Sequence, residues 1–410
     1  MNSGKFRIAV RKYAPFETAL DKMWKDFCGR TGCLLQLEAV ALDLHPLYDA
    51  LLKDGGLVNG HWDIALINTD WITEAFTKGA LEDLTPYLGN NPPEDFPQGW
   101  SESLLGKQRF DGRTMALPFH DGPECLIYRK DLLESPGEKE AFQKKYNRLL
   151  YPPRTWEELM QVAEFFNRPE ENLYGTTFAA FPDGHNTVFD FCLQLWTRNG
   201  ELLDNKGKVC VNTPEAQAGM DFYRRALRNH NAIHPDSGNF DSVTSGMAFA
   251  RGELAAMVNW FSFASMCEVI PESRVKGKVD VAMVPAGPKG KGVSLNAYWM
   301  YVIGAGSTKK DLAYQFIHYA VNAKNDRMLT FEGGIGCRKS TWTDPEVNAA
   351  VPYYHKLEEL HLRARSLPQK DNWAEISKVM DHLVLDVIHT QREVRTILDS
   401  AQKQINEIEK

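Results

Sequence analysis

Between Phe6 and Asn68 the chain alternates short apolar runs with helix-period apolar faces, and that alternation leaves few folds open to it. Phe6 to Val10 reads as a strand, and Leu20, Met23, Trp24, Phe27 and Cys28 then fall on one helical face that stops near Gly29 and Gly32. Leu34 to Ala41 is strand-like. Leu44, Leu47, Tyr48, Leu51 and Leu52 form a second face, closed by Gly55-Gly56. Trp62 to Asn68 is a near-continuous apolar run, as suits a strand covered on both sides. This βαβαβ order, with right-handed crossovers, predicts a doubly wound, mainly parallel α/β sheet flanked by helices.

The later segments carry local signals of the same quality. Asp111-Gly112 marks a hairpin turn, and Asn205-Lys206-Gly207 separates two short runs in the same way. Thr155 and Glu158 have capping-box spacing, and Thr213-Pro214 supplies an N-cap with Pro at the first helical position. Val279 to Pro285 and Tyr298 to Gly304 read as strands, and amphipathic helices close the chain.

Composition narrows the function. With 410 residues the chain is long enough for two or three domains, and 47 basic against 54 acidic residues give a net charge of −7. The basic residues are scattered, so nothing favours nucleic acid. No run reaches the roughly 18 apolar residues of a membrane span. The first residues run straight into a strand without the apolar core of a secretory signal, which leaves a cytosolic protein or one whose leader was removed. Seven dispersed Cys residues, without a Cys-x-x-Cys pair, read as buried small hydrophobes.

Enzyme signatures are missing. Gly287 to Ser294 lacks the Gly-Lys-Ser/Thr ending of a phosphate loop, and Gly333-Gly334-Ile335-Gly336 lacks dinucleotide spacing. His120, Asp121 and Glu124 could form a metal or acid/base group, though a hinge or surface role suits them better. The ten Trp residues are more telling, because Trp71, Trp260 and Trp299 stand at strand ends beside polar groups such as Asn68, Asp70, Asn259 and Asn296. A flat ring covers the C–H face of a sugar while Asp and Asn take its hydroxyls.

In order along the chain come Trp62-Asp63-Ile64, Gly79 to Leu88, Asp111-Gly112-Arg113 to Pro118, Leu126 to Leu132, Pro152 to Leu159, Asn212 to Ala216 and Phe249 to Met257. This succession resembles family 1 of the extracellular solute-binding proteins of ABC transporters, whose best-known relatives bind maltose and other sugars. The resemblance implies two α/β lobes with a ligand cleft between them: 1–119 plus 282–330, and 120–281 plus 331–410. Hinge crossings are then expected near 119–122, 279–285 and 328–336.

The same resemblance places ligand contacts at Arg11, Tyr13, Asp43, Asn68, Asp70, Trp71, His120, Asp121, Trp260 and Trp373, with Lys12 beside them. Phe181, Asp183, Tyr298, Trp299 and Arg338 follow by position. It implies a monomer that uses no cofactor or metal and breaks no bond. Its partners would be a carbohydrate and the permease subunits of a membrane transporter, and it would work in the periplasm or at the outer surface after export. Arg11, Lys12 and Arg338 would suit an acidic ligand, and neutral sugars are the default. A polyol, sugar acid or polyamine ligand, or a cytosolic carbohydrate-active enzyme, stays open.

Overall fold

A computed structural model describes residues 4–410. Packing divides it into two units. Unit one takes the residues up to Gly122, Ala297–Glu358 and Leu367–Trp373; unit two takes Pro123–Asn296, Glu359–Ser366 and Ala374–Lys410. The two main sheets use β1 (Lys5–Arg11), β2 (Gln36–Leu42), β3 (Ile64–Asn68), β4 (Leu117–His120), β5 (Glu124–Arg129), β6 (Ala256–Trp260), β7 (Val279–Ala282) and β8 (Trp299–Ile303).

Unit one is built on a sheet of order β2-β1-β3-β8-β4. β1 pairs parallel with β2 and β3, while β8 runs antiparallel between β3 and β4. All five residues of β3 are buried, as its unbroken apolar run requires. The helix Ala14–Thr31 turns Phe16, Leu20, Met23, Trp24 and Phe27 inward. Trp24 stacks on Phe6 of β1 at 4.8 Å and meets Phe316 edge-on at 5.2 Å. Each such side chain contributes about 1.5–3 kcal/mol by leaving water.

In unit two, β5 lies between β6 and β7 and pairs antiparallel with both. The mainly parallel sheet expected of each lobe therefore holds for unit one, whereas unit two's three-stranded sheet is antiparallel. Parallel pairing in unit two lies outside that sheet, in the short ladder of Ser294–Leu295 with Ala364–Arg365 and in single bridges such as Tyr174 with Leu254 and Thr176 with Ile233. The reason lies in the connections: β5 and β6 are joined through a long helical excursion, so their relative direction is set by tertiary packing.

Local signals have their expected outcomes. Thr155 and Glu158 close a reciprocal capping box on the helix Trp156–Phe166, and the Thr213 side chain accepts from the Ala216 N–H at the start of Pro214–Leu227. Asp111-Gly112 turns the ladder Arg109–Phe110 with Arg113–Thr114. The glycines of 287–290 serve close packing: a Cβ on Gly290 would stand 1.8 Å from the Thr197 carbonyl oxygen.

The lobe boundaries differ from expectation at two crossings. Val279–Ala282 is a strand, but it is paired with β5 inside unit two, and the chain leaves that unit only after Asn296. Residues 331–358 belong to unit one, where Asp121 N–H bonds the Ile335 carbonyl and Tyr354 shares a hydrogen bond with Thr330. The cysteines also need correction. Cys125, Cys192, Cys267 and Cys337 are buried, but Cys28, Cys33 and Cys210 are only partly covered.

Candidate functional site

Because β1, β2, β3 and β4 share one direction and β8 opposes them, one edge of the unit-one sheet collects four carboxyl ends and one amino end. Arg11 ends β1, Asp43 follows β2, Asn68 ends β3, His120 ends β4, and Trp299 begins β8. The register brings three of these together: Trp299 pairs with Asn68 on one side and with His120 on the other. A bulge between Trp299 and Met300 breaks the ladder there, a device that re-aims side chains at sheet rims. Open α/β sheets bind ligands at this kind of edge.

The side chains at the edge differ in what remains available. Trp299 is half-buried and stands edge-on to Trp71 at 5.7 Å, while Trp71, 5% exposed, is held in turn by Tyr48. The Asn68 side-chain Oδ1 accepts from the Asp70 N–H and the Thr69 hydroxyl, each at 3.4 Å, fixing the turn that carries partly exposed Asp70. Arg11 and Lys12 both face the exposed carboxylate of Asp43, at 3.4 and 3.6 Å. Each such pair contributes ~0–1 kcal/mol, and two cations on one carboxylate leave a net charge of +1. Tyr13 donates to the Gly333 carbonyl at 3.2 Å and packs edge-on against Phe16.

His120 is the most constrained group. Its Nδ1 accepts the Ile335 N–H at 2.9 Å, so the proton of the neutral ring sits on Nε2. Phe16 meets the ring at 4.6 Å, and burial, partly opposed by Asp121, holds its pKa down to about 3. The imidazole is thus a fixed neutral donor. The folded form binds fewer protons than the unfolded chain between about pH 3 and 6.5, so this group's contribution to stability is complete above 6.5 and is lost as pH falls toward 3. His120→Gln is expected to flatten the fall in unfolding free energy over that window in denaturant titrations. An unchanged slope would show that the ring titrates as if exposed.

Three expected contacts are structural in their surroundings. Arg338 is 1% exposed, lies over the Trp100 ring at 4.4 Å, and donates to the carbonyls of Glu94 at 3.0 Å and Val321 at 3.3 Å. Tyr298 is fully buried, its hydroxyl between the Leu104 carbonyl and Gln108 Oε1 at 2.9 and 3.0 Å. Trp373 is 2% exposed. None of these three has an exposed face like that of Trp299, although the buried Arg338 Nε has no hydrogen-bond partner.

In unit two, Trp260 ends β6 opposite Glu124, the first residue of β5. The Trp260 ring is half-buried and stands edge-on to Phe189 at 5.3 Å. Asp183 accepts the N–H groups of His185 and Asn186 at 2.9 Å each, where the chain enters the helix Asn186–Trp196, and Phe181 is 45% exposed nearby in sequence.

Two groups here escaped the set of expected contacts. Glu124 is buried and its Oε2 has no hydrogen-bond partner, while burial and the neighbouring Asp190 drive its pKa well above the ordinary value. Asn296 is 1% exposed with both amide atoms unpartnered. Buried polar atoms without partners cost roughly 1–3 kcal/mol each, a cost a bound solute would remove. The signal was positional: Glu124 follows the crossing at Gly122, and Asn296 precedes the one at Ala297. Asp190, raised to about 7 by burial, accepts from the Tyr223 hydroxyl at 2.6 Å.

Among the described residues no group of three or more His, Cys, Asp or Glu could hold a metal ion, and no helix is long and apolar enough to cross a membrane.

Comparison with known proteins agrees with this architecture. A probable ABC transporter-binding protein of Deinococcus radiodurans is 26% identical, over 87% of this chain and 81% of its own. Maltose-bound MalE3 of T. maritima superposes with a TM-score of 0.85 at 23% identity, over 98% of this chain and 99% of that one. A solute-binding protein of Agrobacterium radiobacter K84 in complex with ribitol gives 0.86 at 23% identity, over 99% and 98%. Residues 45–327 match the family model for bacterial extracellular solute-binding proteins. With most of its length inside that match and its fold shared throughout, the chain belongs to the bacterial extracellular solute-binding proteins.

Proposed function

We infer that this protein captures a small, neutral, polyhydroxylated solute, a sugar or polyol, and delivers it unchanged to the permease of an ABC importer from outside the cytoplasmic membrane. The relatives named above support that class, one holding maltose and one ribitol. The observation that carries the reading is the pairing of a braced, half-open indole with neutral polar groups at the sheet end of each unit. In unit one these are Trp299 and the His120 Nε2–H; in unit two, Trp260 and, opposite it in the ladder, the Glu124 carboxyl, whose pKa burial drives well above the ordinary value.

Both sets sit where the chain passes between units: His120 and Asp121 precede the crossing that Glu124 follows, and Asn296 precedes the one that Trp299 follows. Charge supports a neutral solute at Arg338, which is buried among carbonyls, while Arg11 and Lys12 share the single carboxylate of Asp43 and keep one net positive charge, which sugar acids probe directly.

A thermal-shift panel of pentitols, hexitols, disaccharides and sugar acids tests this. A solute present at 100 times its dissociation constant adds about 2.7 kcal/mol to stability. A neutral member of the panel is expected to raise the unfolding midpoint while sugar acids do not. Stabilisation by sugar acids alone contradicts the reading.

A further inference from the structure

We propose that Cys28 and Cys33 form a reversible disulfide across the C-terminus of the helix Ala14–Thr31. Cys28 lies in the last turn of that helix, and Gly32 caps it in the left-handed conformation (φ 71°, ψ 18°), donating its N–H to the Cys28 carbonyl at 2.9 Å. Only glycine takes that backbone at no steric cost, and it reverses the chain at once. The Thr31 hydroxyl bonds the Phe27 carbonyl at 2.8 Å and accepts the Cys33 N–H at 3.4 Å, which fixes the return path. As a result the Cys33 side chain neighbours the Cys28 thiol across this cap.

The two thiols are partly exposed and so within reach of a reagent, unlike the buried Cys125, Cys192, Cys267 and Cys337. The family's extracellular setting is one in which disulfides form and persist. Burial and the neighbouring thiol raise Cys28 to about 11, which suits it to the second, intramolecular step, on a mixed disulfide already formed beside it.

The oxidant is a small-molecule or protein disulfide. Cys33, as thiolate, attacks one of its sulfurs and expels a thiolate, leaving a mixed disulfide. Cys28, as thiolate, then attacks the Cys33 sulfur and expels the second thiolate. Two protein thiols lose two electrons and two protons, and the reagent disulfide becomes two thiols. The bond ties the end of the helix to the residues leading into β2, the strand that ends beside Asp43.

The test treats the purified chain with oxidised glutathione, alkylates remaining thiols with N-ethylmaleimide and measures peptide masses. The expected product links Cys28 to Cys33, about 2 Da below the dithiol, with Cys210 still alkylated. The oxidised protein is expected to melt a few degrees higher, and reduction reverses the shift. Cys28→Ser is expected to hold a stable glutathione adduct on Cys33. Alkylation of both thiols after oxidation overturns the proposal, as does a link from either to Cys210 or a redox-dependent melting shift that survives in Cys33→Ser.

Discussion

Replacing Trp260 with alanine is expected to weaken solute binding by about 2 kcal/mol, roughly thirtyfold, while the unfolding midpoint stays within a few degrees of the parent. The ring is half-exposed, so its removal opens no sealed cavity, and its partner Phe189 stays packed in the helix Asn186–Trp196. Trp260→Phe keeps a flat apolar face and is expected to recover most of the loss. Calorimetric titration of all three forms with the solute found by the panel checks this. Equal affinities across the series would mean that the unit-two edge does not touch the ligand.

Arg338→Ala is expected to do the opposite, lowering stability by about 3 kcal/mol and the midpoint by roughly 10 °C, with affinity per folded molecule changed less than twofold. The substitution removes a guanidinium stacked on Trp100 and leaves the carbonyls of Glu94 and Val321 without their donor. Asp95 is mostly exposed, so its ion pair at 3.4 Å adds little. A variant that melts like the parent but binds poorly would return Arg338 to the set of ligand contacts.

These two residues differ in how much of their setting lies close by in the chain. The place of Trp260 at a strand end was legible because the strand, its end and the polar Asn259 are all contiguous. The same holds for β1 to β3, for the Thr155 capping box and for the Asp111-Gly112 hairpin, each of which is decided by neighbours a few residues away. Arg338 could be read equally well as an anion-binding or a packing residue, since what decides between them is Trp100 and two carbonyls remote in sequence. Tyr298 was indistinguishable from Trp299 by type and position, yet one is sealed against Gln108 and the other is half-open.

Long-range pairing likewise explains the unit boundaries. Val279–Ala282 has the composition of a strand, but nothing local says that its partner is β5 and not unit one's sheet. Nor does anything local say that Gly333 to Arg338 returns to His120 and Trp100. Asn296 escaped because an unpartnered buried amide is defined by what its surroundings fail to supply.

Hydrogen–deuterium exchange with and without the bound solute tests the central claim most directly. The account predicts slowed exchange at both sheet ends together, around Asn68 to Trp71 and His120 to Glu124, and around Trp260 and Asn296 to Trp299. Protection confined to one unit, or centred on the surface hollow lined by Leu35, Tyr87 and Lys309, would contradict it.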